Sequence, residues 1–350
     1  MTICLVGSEM CIRDRPLFDK VIAFTDIHFG MKNNAKTHNL DCLKFIDWMI
    51  EKAKDQNIKT CIFGGDWHHQ RASVNVSTLN YTLKGLQKLN DNFDNVYMIP
   101  GNHDEYYKDT REMNSIQFAE LYPNIQILNE PIVKGDVGFI PWLVGDEWKQ
   151  VSKIKCKYMF GHFELPHFYM NAMVQMPDHG QISESHFKHP ELVFSGHFHK
   201  RQAKGKIVYM GNPFPHNYAD AWDDDRGCMT LTWGEEPEFH NWEEAPKYRT
   251  ISLAKLMRDP DRVLSPNVHA RVTIDKEISY EEANFIKDTF MHHYKLRELT
   301  LIPEKNTEHE EMEGADIEFQ SVDQIVIQQL QAVESETFDN NVLIAIYNSL

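Results

Sequence analysis

"VYMIPGNHDE", residues 96–105, carries both the fold and the chemistry of this chain. The apolar run Val96–Ile99 breaks at Pro100 and Gly101. It then delivers an amide, an imidazole and a carboxylate in three successive positions, Asn102, His103 and Asp104. A short, continuously apolar run reads as a strand buried on both faces, the pattern of a parallel sheet covered by helices. In open α/β sheets, ligands gather just beyond the carboxyl ends of the strands. A single histidine in a turn is usually a solvated one, so the reading depends on whether other strands end the same way.

Four others do. "VIAFTDIHFG" (21–30) supplies Asp26 and His28, and "CIFGGDWHHQ" (61–70) supplies Asp66, His68 and His69. "KYMFGHFE" (157–164) supplies His162, and "LVFSGHFHK" (192–200) supplies His197 and His199. Glycine stands beside the ligand-type residues at Gly65, Gly101, Gly161 and Gly196, where it permits sharp turns and close backbone approach. The spacings Asp26-x-His28 and His197-x-His199 predict an extended backbone with both side chains of each pair on one side. Imidazole, carboxylate and amide donors without thiolate suit Mn²⁺, Fe²⁺ or Zn²⁺ better than Ca²⁺ or copper. Seven such donors exceed one tetrahedral ion. They suit two ions about 3.5–4 Å apart that share a bridging carboxylate.

Around these strand ends the pattern alternates strand and helix. Leu40, Leu43, Ile46, Met49, Ile50 and Ala53 share one face of a helix, and Leu79, Leu83, Leu86 and Leu89 that of a second. Later strands ("KIVYM", 206–210; "CMTLTW", 228–233) point to a second sheet packed on the first. Residues 16–245 are therefore expected to form one layered α/β domain. Residues 246–303 read as a small β-α-β unit whose helix opens on a capping box, Ser279 and Glu282. Residues 304–320 read as an acidic linker and 321–350 as a helical segment with an apolar face that needs a partner. Residues 1–15 fit neither a signal peptide nor the periodic pattern and are read as a non-native leader.

The formal charge is −16, but Glu304–Leu350 holds eleven acidic residues against one lysine. The remaining −6 is moderate and compatible with an anionic substrate. The six cysteines are scattered, with no CxxC pair, which points to reduced thiols in the cytoplasm. No apolar run approaches the roughly 18 residues of a membrane span.

The ordered series DxH, GDxxH, GNHD, GHxE and GHxH resembles that of the calcineurin-like metallophosphoesterases. Within that family it looks most like the SbcD-type DNA-repair nuclease subunits, including the recombination nuclease subunits of T-even-like phages. The resemblance extends over about residues 18–350. It implies a two-sheet αββα sandwich with a small α/β DNA-capping domain and a helical tail. It also implies residue roles: Asp26, His28 and His199 on the first metal, Asn102, His162 and His197 on the second, and Asp66 bridging. His103 would stabilise the scissile phosphate or protonate the leaving oxygen, with Asp104 orienting its ring, and His69 would handle the substrate end. The implied cofactors are two divalent ions, manganese foremost. The implied partners are DNA, a second copy of the chain, and a Rad50- or SbcC-like ATPase of the SMC type gripped by residues 321–350.

That chemistry is sound from first principles. Two cations offset the charge that repels an attacking anion and make water more acidic, while a histidine can serve the leaving oxygen. The basic run Lys200, Arg201, Lys204 and Lys206 reads equally as a grip on DNA phosphates or as a solvated hairpin. Trp142 and Trp148 read as core. Two other functions remain open on the same scaffold: a phosphomonoesterase or other phosphodiesterase, and a non-catalytic assembly module.

Overall fold

The computed structural model describes residues 16–170 and 174–303. The leader, acidic linker and C-terminal helical segment expected from the sequence lie outside the described residues. Four apolar runs, β1 (Lys20–Phe24), β2 (Thr60–Phe63), β3 (Asn95–Met98) and β4 (Ile125–Ile127), pair in parallel. A second sheet contains β5 (Ile132–Lys134), β6 (Val137–Ile140), β7 (Tyr158–His162), β8 (Leu192–Gly196), β9 (Gln202–Lys204) and β10 (Ile207–Tyr209), in the order β5-β6-β7-β8-β10-β9. The first sheet is completed by β11 (Gly227–Thr232) and β12 (Glu238–Asn241) and runs β12-β11-β1-β2-β3-β4.

Because side chains alternate along a strand, each apolar run feeds two cores at once. Val21, Ala23, Ile62 and Tyr97 face Phe139, Phe160 and Phe194 between the sheets. Ile22, Phe24, Cys61 and Phe63 face outward onto helices α1 (Lys36–Asp55) and α2 (Val76–Asn92). The outer face of the second sheet is covered by loops and by 3₁₀ turns at Glu147–Lys153 and Glu184–His186, with Phe163, Phe168 and Phe187 filling the layer. All four described cysteines are buried free thiols.

Register decides where the chemistry gathers. Phe24 pairs with Phe63 and Phe63 with Met98, so β1, β2 and β3 end level. His162 pairs with Gly196 at the ends of β7 and β8. The five loops thus leave the two sheets at one edge.

Two leucines assigned to helical core faces lie outside them: Leu40 is 36% exposed and Leu83 is 40% exposed. The faces turned inward instead carry His38, Asn39, Thr78 and Thr82, all buried. Asn39 donates to Thr78 Oγ1 at 3.2 Å and accepts from the Gly30 amide at 2.8 Å. These helices give part of their buried face to supporting the loops, so apolar periodicity misplaces it.

The small unit is larger than a β-α-β. It is a parallel sheet of β13 (Lys247–Ser252), β14 (Val268–Ile274) and β15 (Glu298–Pro303), with α3 (Leu253–Arg258) and α4 (Tyr280–Tyr294) in the crossovers. Both bonds of the capping box form, with Ser279 N donating to Glu282 Oε2 at 2.8 Å. The charge of Lys247 and Arg249 conceals β13 in the sequence. Arg249 is nevertheless buried, with its guanidinium on Asp224.

Arg297 anchors this sheet to the layered domain through a two-pronged pair with Asp41 of α1, one arm at 2.7 Å. Asp41 is only 4% exposed, so removing its partner would strand a buried carboxylate. Arg297→Ala is expected to cost about 3 kcal/mol, read as a lower midpoint in urea unfolding. An unchanged midpoint would show that the pair contributes nothing to docking.

Candidate metal centre

Asp26, His28, Asp66 and His162 are each at most 1% exposed, and they meet where the loops converge. The backbone there is not extended, contrary to the alternation expected for the DxH and HxH pairs. Asp26 (φ 54°), His28 (φ 51°), Asp66 (φ 64°) and His197 (φ 87°) are all left-handed. Such non-glycine conformations cost roughly 1–3 kcal/mol each and survive only where surroundings enforce them. Here Asp26 N donates to Gly65 O at 2.9 Å and His28 N to Asp66 O at 3.1 Å, locking the first two loops together. Two glycines make room for the centre. A Cβ on Gly101 would stand 2.2 Å from Asp66 Oδ1, and one on Gly65 2.4 Å from His162 Nδ1.

Two donor groups flank Asp66. On one side, His28 Nε2 lies 3.6 Å from Asp66 Oδ2 and 3.2 Å from His199 Nε2. On the other, His162 Nε2 lies 3.5 Å from Asp66 Oδ2 and 3.0 Å from Asn102 Oδ1, and His197 Nδ1 reaches the same amide oxygen at 2.9 Å. The Asp26 carboxylate accepts from Thr25 Oγ1 at 2.8 Å and from the His197 amide at 3.1 Å.

Tautomers follow from the partners. His162 Nδ1 faces the Gly64 carbonyl at 2.8 Å, which can only accept, so Nδ1 carries the proton and Nε2 points inward. His197 Nε2 faces Glu164 Oε2 at 3.0 Å, which presents its Nδ1 lone pair to the centre. The bond from His197 also holds the Glu164 carboxyl below its ordinary range. Glu164 appears in the sequence only as the last letter of GHxE, and its role emerges from this contact. Glu164→Gln is expected to weaken cation binding by about 10- to 100-fold, measured by calorimetric titration with Mn²⁺. Equal affinity in both proteins would remove Glu164 from the site.

The electrostatics suit cations. Burial opposes charge on Asp66, yet His162 outweighs it and holds this carboxyl well below the usual carboxylate range. Burial also disfavours the charged form of His162, but Asp66 and Asp26 raise its pKa to about 9. Burial pushes Asp26 up to about 7, His199 down to about 4, and His28 well below the ordinary imidazole value. His28 and His199 are therefore neutral lone-pair donors at neutral pH, the state that binds metal, whereas His162 holds an Nε2 proton toward Asp66 that a bound cation would have to displace. His28 Nδ1 is buried and has no hydrogen-bond partner among the described residues. The all-nitrogen-and-oxygen donor set gathered around Asp66 suits divalent cations.

Asp104 does something other than orient His103. Its carboxylate accepts from the backbone amides of Gly101, Asp66, Trp67 and His68 at 2.8–3.2 Å, tying the second loop to the third. The His103 ring is held instead by the His69 carbonyl, 2.6 Å from Nδ1, and stacks on the His69 ring at 5.4 Å. Three amides of the second loop and one from its own loop outcompete a single ring N–H. His68 turns away from the centre onto Ser115 Oγ (2.8 Å) and Thr82 Oγ1 (3.0 Å), so His69 is the member of the pair that faces it.

Lys200 and Arg201 line a separate cleft with Trp222, Asp223, Asp225 and Phe239. Arg201 is engaged there, donating to Asn241 Oδ1 at 2.6 Å and lying over the Phe239 ring. Lys200 lies over Tyr169, Lys204 is an exposed hairpin residue, and Lys206 donates to the Pro190 carbonyl. Trp142 is not core: its ring stands 5.2 Å from His197 and walls the second donor group. Trp148 is likewise half-buried and packs at the edge of the outer cluster and not within it.

Residues 19–225 match the sequence pattern of the calcineurin-like phosphoesterases, more than half of the chain. The chain belongs to that family. As a calcineurin-like phosphoesterase it is a metal-dependent phosphoester hydrolase, with its donor residues inside the matched segment. It is similar to "Exonuclease subunit 1" of Enterobacteria phage T4, at 28% identity over 230 residues, covering 63% of this chain and 67% of that protein. Among solved structures it is similar to the nuclease MPE of Pseudomonas putida, at 17% identity with TM-score 0.29, covering 54% of this chain and 66% of that one. It is also similar to a dimetal phosphatase from Danio rerio, at 11% identity with TM-score 0.36, covering 61% of this chain and 92% of that one. Among the described residues no helix is long and apolar enough to cross a membrane.

Proposed function

We propose that this calcineurin-like phosphoesterase is a two-metal DNA nuclease, cutting duplex ends as an exonuclease and single strands as an endonuclease. Its likeness to a phage exonuclease subunit supports the choice of DNA. The observation that carries the two-metal reading is the place of Asp66, whose Oδ2 lies 3.6 Å from His28 and 3.5 Å from His162. Asp26, His28 and His199 would hold one ion and Asn102, His162 and His197 the other, with Asp66 available to both and manganese the working metal. When bound, the pair supplies charge neutralisation of the phosphodiester and a more acidic water.

The chain's own groups do the rest. His103 Nδ1–H donates a hydrogen bond to the His69 carbonyl, leaving Nε2 to face a phosphate or leaving oxygen. The His69 ring braces that imidazole from one side. Trp142 shields the second donor group from solvent, and Lys200 offers a charge to the DNA backbone. Glu164, Asp104 and Arg201 act as positioning groups. In recombination and repair the chain works as a homodimer with an SMC-type, Rad50- or SbcC-like ATPase, docked through residues 321–350 in the cytoplasm.

The test is digestion of end-labelled duplex and single-stranded DNA with Mn²⁺, run beside p-nitrophenyl phosphate and its diester. Release of nucleotides from DNA supports the reading. Turnover of the small esters alone would replace it with a phosphomonoesterase or small-substrate phosphodiesterase, and inertness toward all four would point to an assembly module.

A further inference from the structure

Beyond the five strand-end clusters lies a histidine that no motif includes. His216 follows β10 in the segment "GNPFPH" and is 0% exposed, and neither ring nitrogen has a hydrogen-bond partner among the described residues. A neutral imidazole carries one donor and one acceptor, and a histidine buried merely as packing ordinarily satisfies at least one of them. His38 next door behaves that way, with Nε2 on the His28 carbonyl at 3.0 Å. The loop holding His216 is firmly built: its amide donates to Asp220 Oδ2 at 2.9 Å, and Asp220 is itself paired with Arg226. The backbone is therefore spoken for while the ring is not.

The ring points at the metal centre. Its centroid is 5.3 Å from that of His199 and 5.5 Å from that of His28. One nitrogen from each of the three histidines lies within 4.8 Å of the others. A cation bound at about 2.1 Å from each nitrogen allows separations up to about 4.2 Å, which slight ring rotations would reach.

We propose that His216 is a further metal ligand, completing a face of three imidazoles with His28 and His199 on the first metal position. This rests on the two-metal reading above and adds to it a chemical preference. Three nitrogens beside Asp26 and Asp66 favour borderline cations such as Zn²⁺ and Co²⁺ over Mn²⁺ and Mg²⁺ at that position. The two positions of one centre would then differ in selectivity.

The experiment is titration of the metal-stripped full-length chain with Co²⁺, followed by visible absorption and by calorimetry, for the wild type, His216→Gln and His38→Gln. The expected result is two Co²⁺ per wild-type chain. In His216→Gln one step weakens by at least about tenfold with a changed spectrum, and its preference for Zn²⁺ over Mn²⁺ in competition falls by a similar factor. His38→Gln should titrate like the wild type. Identical titrations for wild type and His216→Gln would overturn the assignment, as would equal losses in both variants, which would signify packing. Should His216→Gln fail to fold, X-ray absorption of the wild type with one equivalent of Zn²⁺ decides: three imidazoles support the ligand and two refute it. A wild type that takes up no cation at all would instead defeat the two-metal reading itself.

Discussion

Asp66→Asn is expected to lower Mn²⁺-dependent DNA cleavage by about a thousandfold or more and to drop the bound metal below two ions per chain. The substitution keeps the side chain's shape. The bond from the His103 amide to Oδ1, 2.8 Å long, can persist, so the loop holding Asn102 and His103 stays in place. What disappears is the carboxylate charge whose Oδ2 lies 3.6 Å from His28 Nε2 and 3.5 Å from His162 Nε2. Neutralising a shared ligand in a buried site removes several kcal/mol of cation and transition-state stabilisation, which is three or more powers of ten in rate. Equilibrium dialysis with elemental analysis would count the ions, and end-labelled DNA would report the rate. Two retained ions with undiminished cleavage would end the bridging assignment, and with it the view of a single joined centre.

The second large effect separates chemistry from metal binding. His103→Ala should reduce cleavage by about 10²- to 10⁴-fold while leaving both ions bound, because a positioned general acid contributes on that order. The ring sits at the partly exposed mouth of the site, 4.9 Å from the ring of His28. Its Nδ1 is committed to the His69 carbonyl, so Nε2 is the nitrogen available to a leaving oxygen. A variant that loses one ion along with activity would make His103 a ligand, for which the cluster of His28, His69 and His103 provides the necessary proximity. Full activity would leave the leaving group without an acid from this chain.

Asp104 and Trp142 show where local reasoning stops. A carboxylate adjacent to a histidine in the chain suggests a partner for its ring, but Asp104 spends its oxygens on four backbone amides. The competition is settled by the approach of the second loop, which brings three amides from 36 to 38 residues away in sequence. Trp142 has the composition of a core residue, and its place beside His197 follows from the docking of one strand end on another. Glu164 was legible as a letter of its motif. Its role depends on which nitrogen of His197 it meets. The lost leucine positions, Leu40 and Leu83, follow the same logic: a helix that must support polar loops turns threonine and asparagine inward.

The order of apolar runs, the glycines that end them and the polar residues that follow were enough to establish the layered α/β architecture and to nominate seven candidate donor residues. Both depend on local physics, the burial of continuous apolar strands and the chemistry of nitrogen and oxygen donors. Tertiary structure alone decided how those side chains face one another: the left-handed backbone at Asp26, His28, Asp66 and His197, the ring tautomers, and the place of the His216 ring beside His28 and His199. Those features arise from hydrogen bonds and contacts between loops distant along the chain. Residue order does not encode such geometry until the sheets bring the loops together.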